Sequence, residues 1–130
     1  MTEKSHVEEM LQRAKARAKD LGIVVSIAVV DDGGHLLGFM RMEGASFMTV
    51  DIAMGKAWTA MAFKTSSANI EKNMAGAPAF ASSVAVTMNG RFMPRQGGLV
   101  DLAAGVAVGF SGGSAEQDES IAAAALGEEH

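Results

Sequence analysis

GGLVDLAAGVAVGFSGGSAEQDESIAAAAL, residues 97–126, predicts a glycine-hinged loop, a buried strand, a second glycine turn and a closing helix. Positions 106–110 are apolar or small throughout, the pattern of a strand covered on both faces. Gly112 and Gly113 follow where the chain must turn without a Cβ in the way. Ser114 and Gln117 stand at capping-box spacing, and Glu116, Asp118 and Glu119 lie near the positive end of the helix dipole. Ile121, Ala122, Ala125 and Leu126 supply an inward stripe. Local signals agree at every level, so this strand–turn–helix unit anchors the reading of the chain.

Working outward, Asn89-Gly90 is hairpin chemistry and leads into Arg91-Phe92-Met93 as a strand. Residues 80–88 fit either a turn of helix or an extended segment. Ser66 or Ser67 caps a short helix containing Ile70 and Met74, stopped by Gly76 and Pro78. Before it, Ser46 or Thr49 opens a long helix to about Phe63. Its small residues Ala53, Gly55, Ala57, Ala60 and Ala62 allow close approach to a sheet or a second subunit, and Lys56 is its one interior cation. Asp31-Asp32-Gly33-Gly34 joins a β-branched strand at residues 23–30 to a partner at 35–42. Thr2 or Ser5 caps the first helix, whose Val7, Met10, Leu11, Ala14, Ala18 and Leu21 recur at helical intervals before Gly22. The predicted order is α-β-β-α-α-β-β-β-α, one domain over residues 1–130 with no linker or repeat.

With 20% charged and 5% aromatic residues, the core must be built from Ala, Val, Met and Leu. A net charge of -4 and the lack of a Lys/Arg cluster exclude non-specific nucleic-acid binding, which needs a basic field. The basic run at residues 13–19 reads as the wet side of an amphipathic helix. No cysteine means no disulfide, thiolate site or thiol nucleophile. No apolar run approaches a membrane span and no secretory core follows the first residues, so a cytoplasmic, membrane-free protein is expected. Histidines at positions 6, 35 and 130 never meet metal-ligand spacing, and no protein metal site is expected.

Few residues carry chemistry. Ser111 in GFSGG lacks nucleophile-elbow spacing and a His–Asp partnership, so it reads as a turn serine. Gly112-Gly113 before a helix suggests an anion cradle, but the acidic first turn would repel a phosphate there. Gly97-Gly98 has no such turn beside it and lets a ligand approach the backbone. The most suggestive polar group is Asp31, His35, Arg41, Glu43 and Lys56. Period-two alternation places His35, Leu37, Phe39 and Arg41 on one strand face. Such a pair either binds a carboxylate or supplies an axial ligand and a propionate partner; otherwise His35 is a solvated turn residue and Arg41 pairs with Glu43. Among the methionines, Met40 and Met42 are the ones of interest as weak iron ligands, and the rest read as core filler.

VAVVDDGGHLLGFMRMEGA, GKAWTAMAF, AGAP and GFSGGSAEQDESIAAAAL together resemble the haem-binding and glycolate-operon accessory family, also seen as the C-terminal domain of some corrinoid adenosyltransferases. The likeness spans residues 23–126 and is carried by several motifs jointly. It implies a profilin-like α/β (α+β) fold, an antiparallel sheet of about five strands with helices on both faces, and a homo-oligomer. It also implies haem as a ligand, since several relatives bind haem and some are credited with degrading it. Relatives commonly carry proline soon after the glycine pair, whereas Gly97-Gly98 is followed here by Leu99-Val100-Asp101.

Three functions stay open. In the first, a tetrapyrrole-binding protein uses His35 as axial donor, with Arg41 or Lys56 near a propionate. In the second, a small cofactor-independent enzyme holds an organic acid with Lys56 and Arg41 and uses His35 or Asp31 as general base. In the third, an oligomeric module carries no chemistry. The expected site for either of the first two is the convergence of His35, Arg41 and Lys56 on the Gly97-Gly98 bend, with Glu43 beside it.

Overall fold

The computed structural model describes residues 6–127. The elements are α1 (Val7–Asp20), β1 (Ser26–Val30), β2 (Leu36–Arg41), α2 (Met48–Phe63), α3 (Ser67–Met74), α4 (Pro78–Thr87), β3 (Gly98–Asp101), β4 (Val106–Ser111) and α5 (Ala115–Ala125). The sheet has the order β2-β1-β4-β3 and is antiparallel at every pairing. Helices cover both faces, as expected, but the sheet has four strands rather than five.

The missing strand has a local cause. Asn89 and Gly90 do adopt left-handed φ values of 56° and 79°. They use them to end α4, with Gly90 N–H donating to Ala85 O at 2.8 Å, rather than to turn a hairpin. Residues 80–88 are therefore mostly helix, and Arg91-Phe92-Met93 is irregular chain. The observed order is α-β-β-α-α-α-β-β-α.

The two central strands divide their side chains between two cores. Ile27 and Val29 of β1 and Val106, Val108 and Phe110 of β4 pack against α1 and α5. Ala28, Val30 and Ala107 face the other way, against Ala53, Ala57 and Ala60 of α2. Those small residues let α2 sit almost on the sheet. A Cβ placed on Gly109 would collide with the backbone of Ala53 and Ala57. The closing unit forms as predicted, with the reciprocal Ser114–Gln117 capping box at the start of α5. Capping of α1 by Thr2 or Ser5 falls outside the described residues.

Burial forces a test of this contact. Gly109→Ala is expected to lower unfolding free energy by about 1–3 kcal/mol, because helix and strand must separate. Gly76→Ala, where a Cβ meets nothing within 4 Å, is expected to be neutral or stabilising. Urea midpoints of the two variants check the contrast.

Candidate functional site

The predicted residues fall in three separate places. Asp31 and His35 stay together at the first hairpin. The Asp31 carboxylate accepts from the backbone N–H groups of Gly33 and His35, each at 2.9 Å, and stands 3.3 Å from His35 Nδ1. The His35 amide bond holds the Asp31 carboxyl below its ordinary range. His35 itself is 81% exposed. Asp31 is thus engaged in building the turn.

Lys56 lies elsewhere, buried between α2, β4 and α5. Its ammonium donates to Phe110 O at 2.8 Å and to Asp118 Oδ2 at 3.1 Å. The second Asp118 oxygen accepts from Gly113 N–H at 3.0 Å. The anion at the Gly112-Gly113 turn is therefore the chain's own carboxylate. Gly97 and Gly98 are indeed beside Lys56, for packing. A Cβ on Gly97, whose φ is +127°, would stand 2.8 Å from Lys56 Nζ. Gly98 in turn exchanges hydrogen bonds with the Ser67 hydroxyl.

Arg41 and Glu43 sit at the far end of β2. Six residues of strand separate Arg41 from His35, about 20 Å. The expected alternation also breaks: the register passes from Val29↔Gly38 to Val30↔Leu36, leaving Leu37 as a bulge residue. Leu37 packs with the α1 core and Phe39 with the α2 core. Convergence of His35, Arg41 and Lys56 on the Gly97-Gly98 bend is thereby corrected: only Lys56 reaches that bend. No Arg41–Glu43 ion pair forms either among the described residues.

A cavity of about 520 Å³ lies instead on the outer side of α2, between the first hairpin and the chain after α4. Asp51, Met54, Gly55 and Trp58 line it from the helix; Val30, Gly34 and Leu36 line it from the sheet edge. At 100° per residue, positions 51, 54, 55 and 58 form one stripe, opposite the alanines that meet the sheet. Gly55 lets the third wall come close, since a Cβ there would meet Met93 Cβ at 2.8 Å and Arg91 O at 3.1 Å. The buried Thr59 hydroxyl accepts from Met93 N–H at 2.8 Å and fixes that segment. Asn89, Gly90 and Arg91 complete the lining. Gly34 (φ +81°) is pressed on the indole, where a Cβ would stand 2.9 Å from Trp58 Cδ1.

Sequence reasoning missed Trp58 and Arg91. The 51/54/55/58 stripe, with the chain's one tryptophan, was the available signal; Arg91 was hidden by the strand assigned to residues 91–93. The arrangement suits a flat apolar ligand: an aromatic and aliphatic wall, with Asp51 and Arg91 as the two charged residues of the lining. Among the described residues, no group of three or more His, Asp or Glu is placed to hold a metal ion by itself, and no helix is long and apolar enough to cross a membrane.

Comparison with known proteins agrees with this architecture. A family model described as haem-degrading protein, HbpS-like, matches residues 3–127. An uncharacterized 15.0 kDa protein of Citrobacter freundii, from the dhaT-dhaS intergenic region, is 33% identical over 123 residues, covering 92% of this chain and 85% of its own length. The corrinoid adenosyltransferase PduO of the same organism is 34% identical over 124 residues, 92% of this chain but 36% of that protein. A crystal structure described as a PduOC:heme complex superimposes with a TM-score of 0.83 at 29% identity, covering 95% of this chain and 91% of the other.

The buried pair yields a sign-definite prediction. Burial raises the Asp118 carboxyl above its ordinary 3.8, and the Lys56 charge partly offsets that. Its preference for the protonated form favours folding in acid, and this contribution fades as pH climbs through the raised pKa. Lys56→Met removes the offset and strands a buried carboxylate at neutral pH. A loss of about 3–5 kcal/mol is expected there, shrinking as pH falls towards the carboxylate range. Adding Asp118→Leu should cost less than the two single changes summed. Urea denaturation of the three variants at neutral and mildly acid pH measures this.

Proposed function

We propose, for a chain that belongs to the HbpS-like family of haem-degrading proteins, that it binds haem or a related tetrapyrrole in the α2 cavity. The observation that carries this reading is one cavity joining an apolar wall of Val30, Leu36, Met54 and Trp58 to Arg91. The wall suits a planar macrocycle and the guanidinium a propionate. In the sequence His35 stands between two lining residues, Gly34 and Leu36. Asp31 beside Nδ1 orients the ring and leaves Nε2 as the candidate axial donor. Bound haem would supply redox-active iron; the chain's part is to hold, orient and shield it. A haem complex of a solved relative supports the same ligand class. Arg41 and Lys56 are replaced by Arg91 as the propionate partner in this reading, because Lys56 is already paired.

Trp58 is the single tryptophan, so its emission reports the site directly. Haem titration is expected to give a saturable Soret band with parallel quenching of Trp58. Leu36→Asp should weaken binding at least about tenfold by placing charge on the wall, and Arg91→Ala about tenfold. His35→Ala should move the Soret maximum. Saturable binding that leaves Trp58 emission untouched would remove haem from this cavity.

We further propose that the chain self-associates through α4. That helix is PAFASSVAVT, has no buried residue, and leaves Phe80 55% and Val86 79% exposed. Apolar side chains this exposed on one helix are the expected form of a surface covered by another copy. Sedimentation should show an oligomer that Phe80→Asp with Val86→Asp dissociates. A wild-type monomer at micromolar concentration would overturn this.

A further inference from the structure

A second cavity, also of about 520 Å³, opens at the other end of β2, between that strand and α1. Its walls carry Lys15, Lys19 and Arg41, with Met40 and Val24 as apolar surface and Glu43 as the one lining carboxylate. Lys15 and Lys19 are four residues apart and share a helix face. Arg41 approaches from the strand. None of the three cations forms an ion pair among the described residues. Three positive groups against one negative give this groove the sign opposite to the chain's net charge of -4.

We propose that this groove is a separate binding site for an amphipathic carboxylate, a small organic acid with an aliphatic body. The chemistry divides cleanly between the two sides. Met40 is half-buried and Val24 is 40% exposed, so both offer apolar area that a hydrocarbon body can cover. Methionine adapts to chains of differing shape. Lys15 and Lys19 supply positive potential for a carboxylate from α1, and Arg41, at the end of the edge strand, adds a third cation whose planar fork would match one if it reaches round that edge. Glu43 at the rim disfavours ligands carrying a second charge on that side. A volume near 520 Å³ falls within the range of about 300–1,000 Å³ typical of small-molecule sites. The site does not rest on the haem reading: the two cavities have no lining residue in common.

Octanoate is the probe, titrated into full-length protein and followed by amide and methionine-methyl NMR. Saturable shifts are expected at Lys15, Lys19, Val24 and Met40, with Trp58 emission unchanged. Lys19→Glu and Arg41→Glu, both at exposed positions, should each weaken octanoate at least about tenfold with an unaltered circular dichroism spectrum. Acetate and inorganic phosphate, which lack the aliphatic body, should bind at least about tenfold weaker than octanoate. Raising salt from about 0.05 to 0.5 M should weaken binding. The proposal is overturned if octanoate gives no saturable shift below about 1 mM, or if phosphate binds as well as octanoate. It is equally overturned if haem displaces octanoate, which would assign the groove to the first ligand; loss of haem binding alone would leave it standing.

Discussion

Lys56 sets the geometry around which the rest of the molecule is arranged. Its side chain is 6% exposed, and its ammonium meets a carbonyl of β4 and the carboxylate of Asp118 in α5. Taking both charges out of water costs several kcal/mol per ion, so the contact persists only where hydrogen bonds replace the water. The ammonium donates two and the carboxylate accepts two, and no buried side-chain polar atom among the described residues lacks a partner. One side chain thus ties α2 to a strand and to a helix on the opposite face of the sheet. It also explains the glycine at position 97, where the lysine occupies the space a Cβ would need. The stability of the pair and the bareness of the Gly97-Gly98 bend are one constraint seen from two sides.

Fixing Lys56 also fixes the rotation of α2 about its own axis. Residues two positions away on either side must then lie on the side of the helix away from Lys56, and those residues are Met54 and Trp58. The buried cation does not line the α2 cavity, yet it decides which side chains do. Gly55 and Thr59 complete the effect, one by admitting the chain after α4 and the other by hydrogen-bonding Met93. The cavity is a consequence of helix placement more than of loop shape.

Parts of the structure governed by local chemistry were legible in the sequence. The Asp31–Gly34 turn, the span of α2 to Phe63 and the Ser114–Gln117 cap each depend on residues a few positions apart. The strand assigned to residues 91–93 failed because left-handed φ at Asn-Gly serves a helix end as readily as a hairpin. Residues 80–88 carry no clear signal because the apolar side chains of α4 follow no helical period. The candidate site failed for a long-range reason. Asp118 has the signature of a helix-dipole residue, and nothing local reveals a partner sixty-two positions back. A lone lysine among alanines on a sheet-facing helix was the clue to a buried pair, and it was read as a ligand contact.

β2 walls two separate cavities rather than one continuous groove. As an edge strand it has no neighbour beyond it among the described residues, and the bulge at Leu37 interrupts its register with β1. The bulge sends Leu37 into the α1 core and leaves Leu36 on the α2 side. The strand's first residues therefore wall the cavity beside Trp58, and its last residues, Met40 and Arg41, wall the basic groove beside α1. A regular strand would have presented one alternating face to each helix along its whole length. One inserted residue instead separates an aromatic slot from a cationic one.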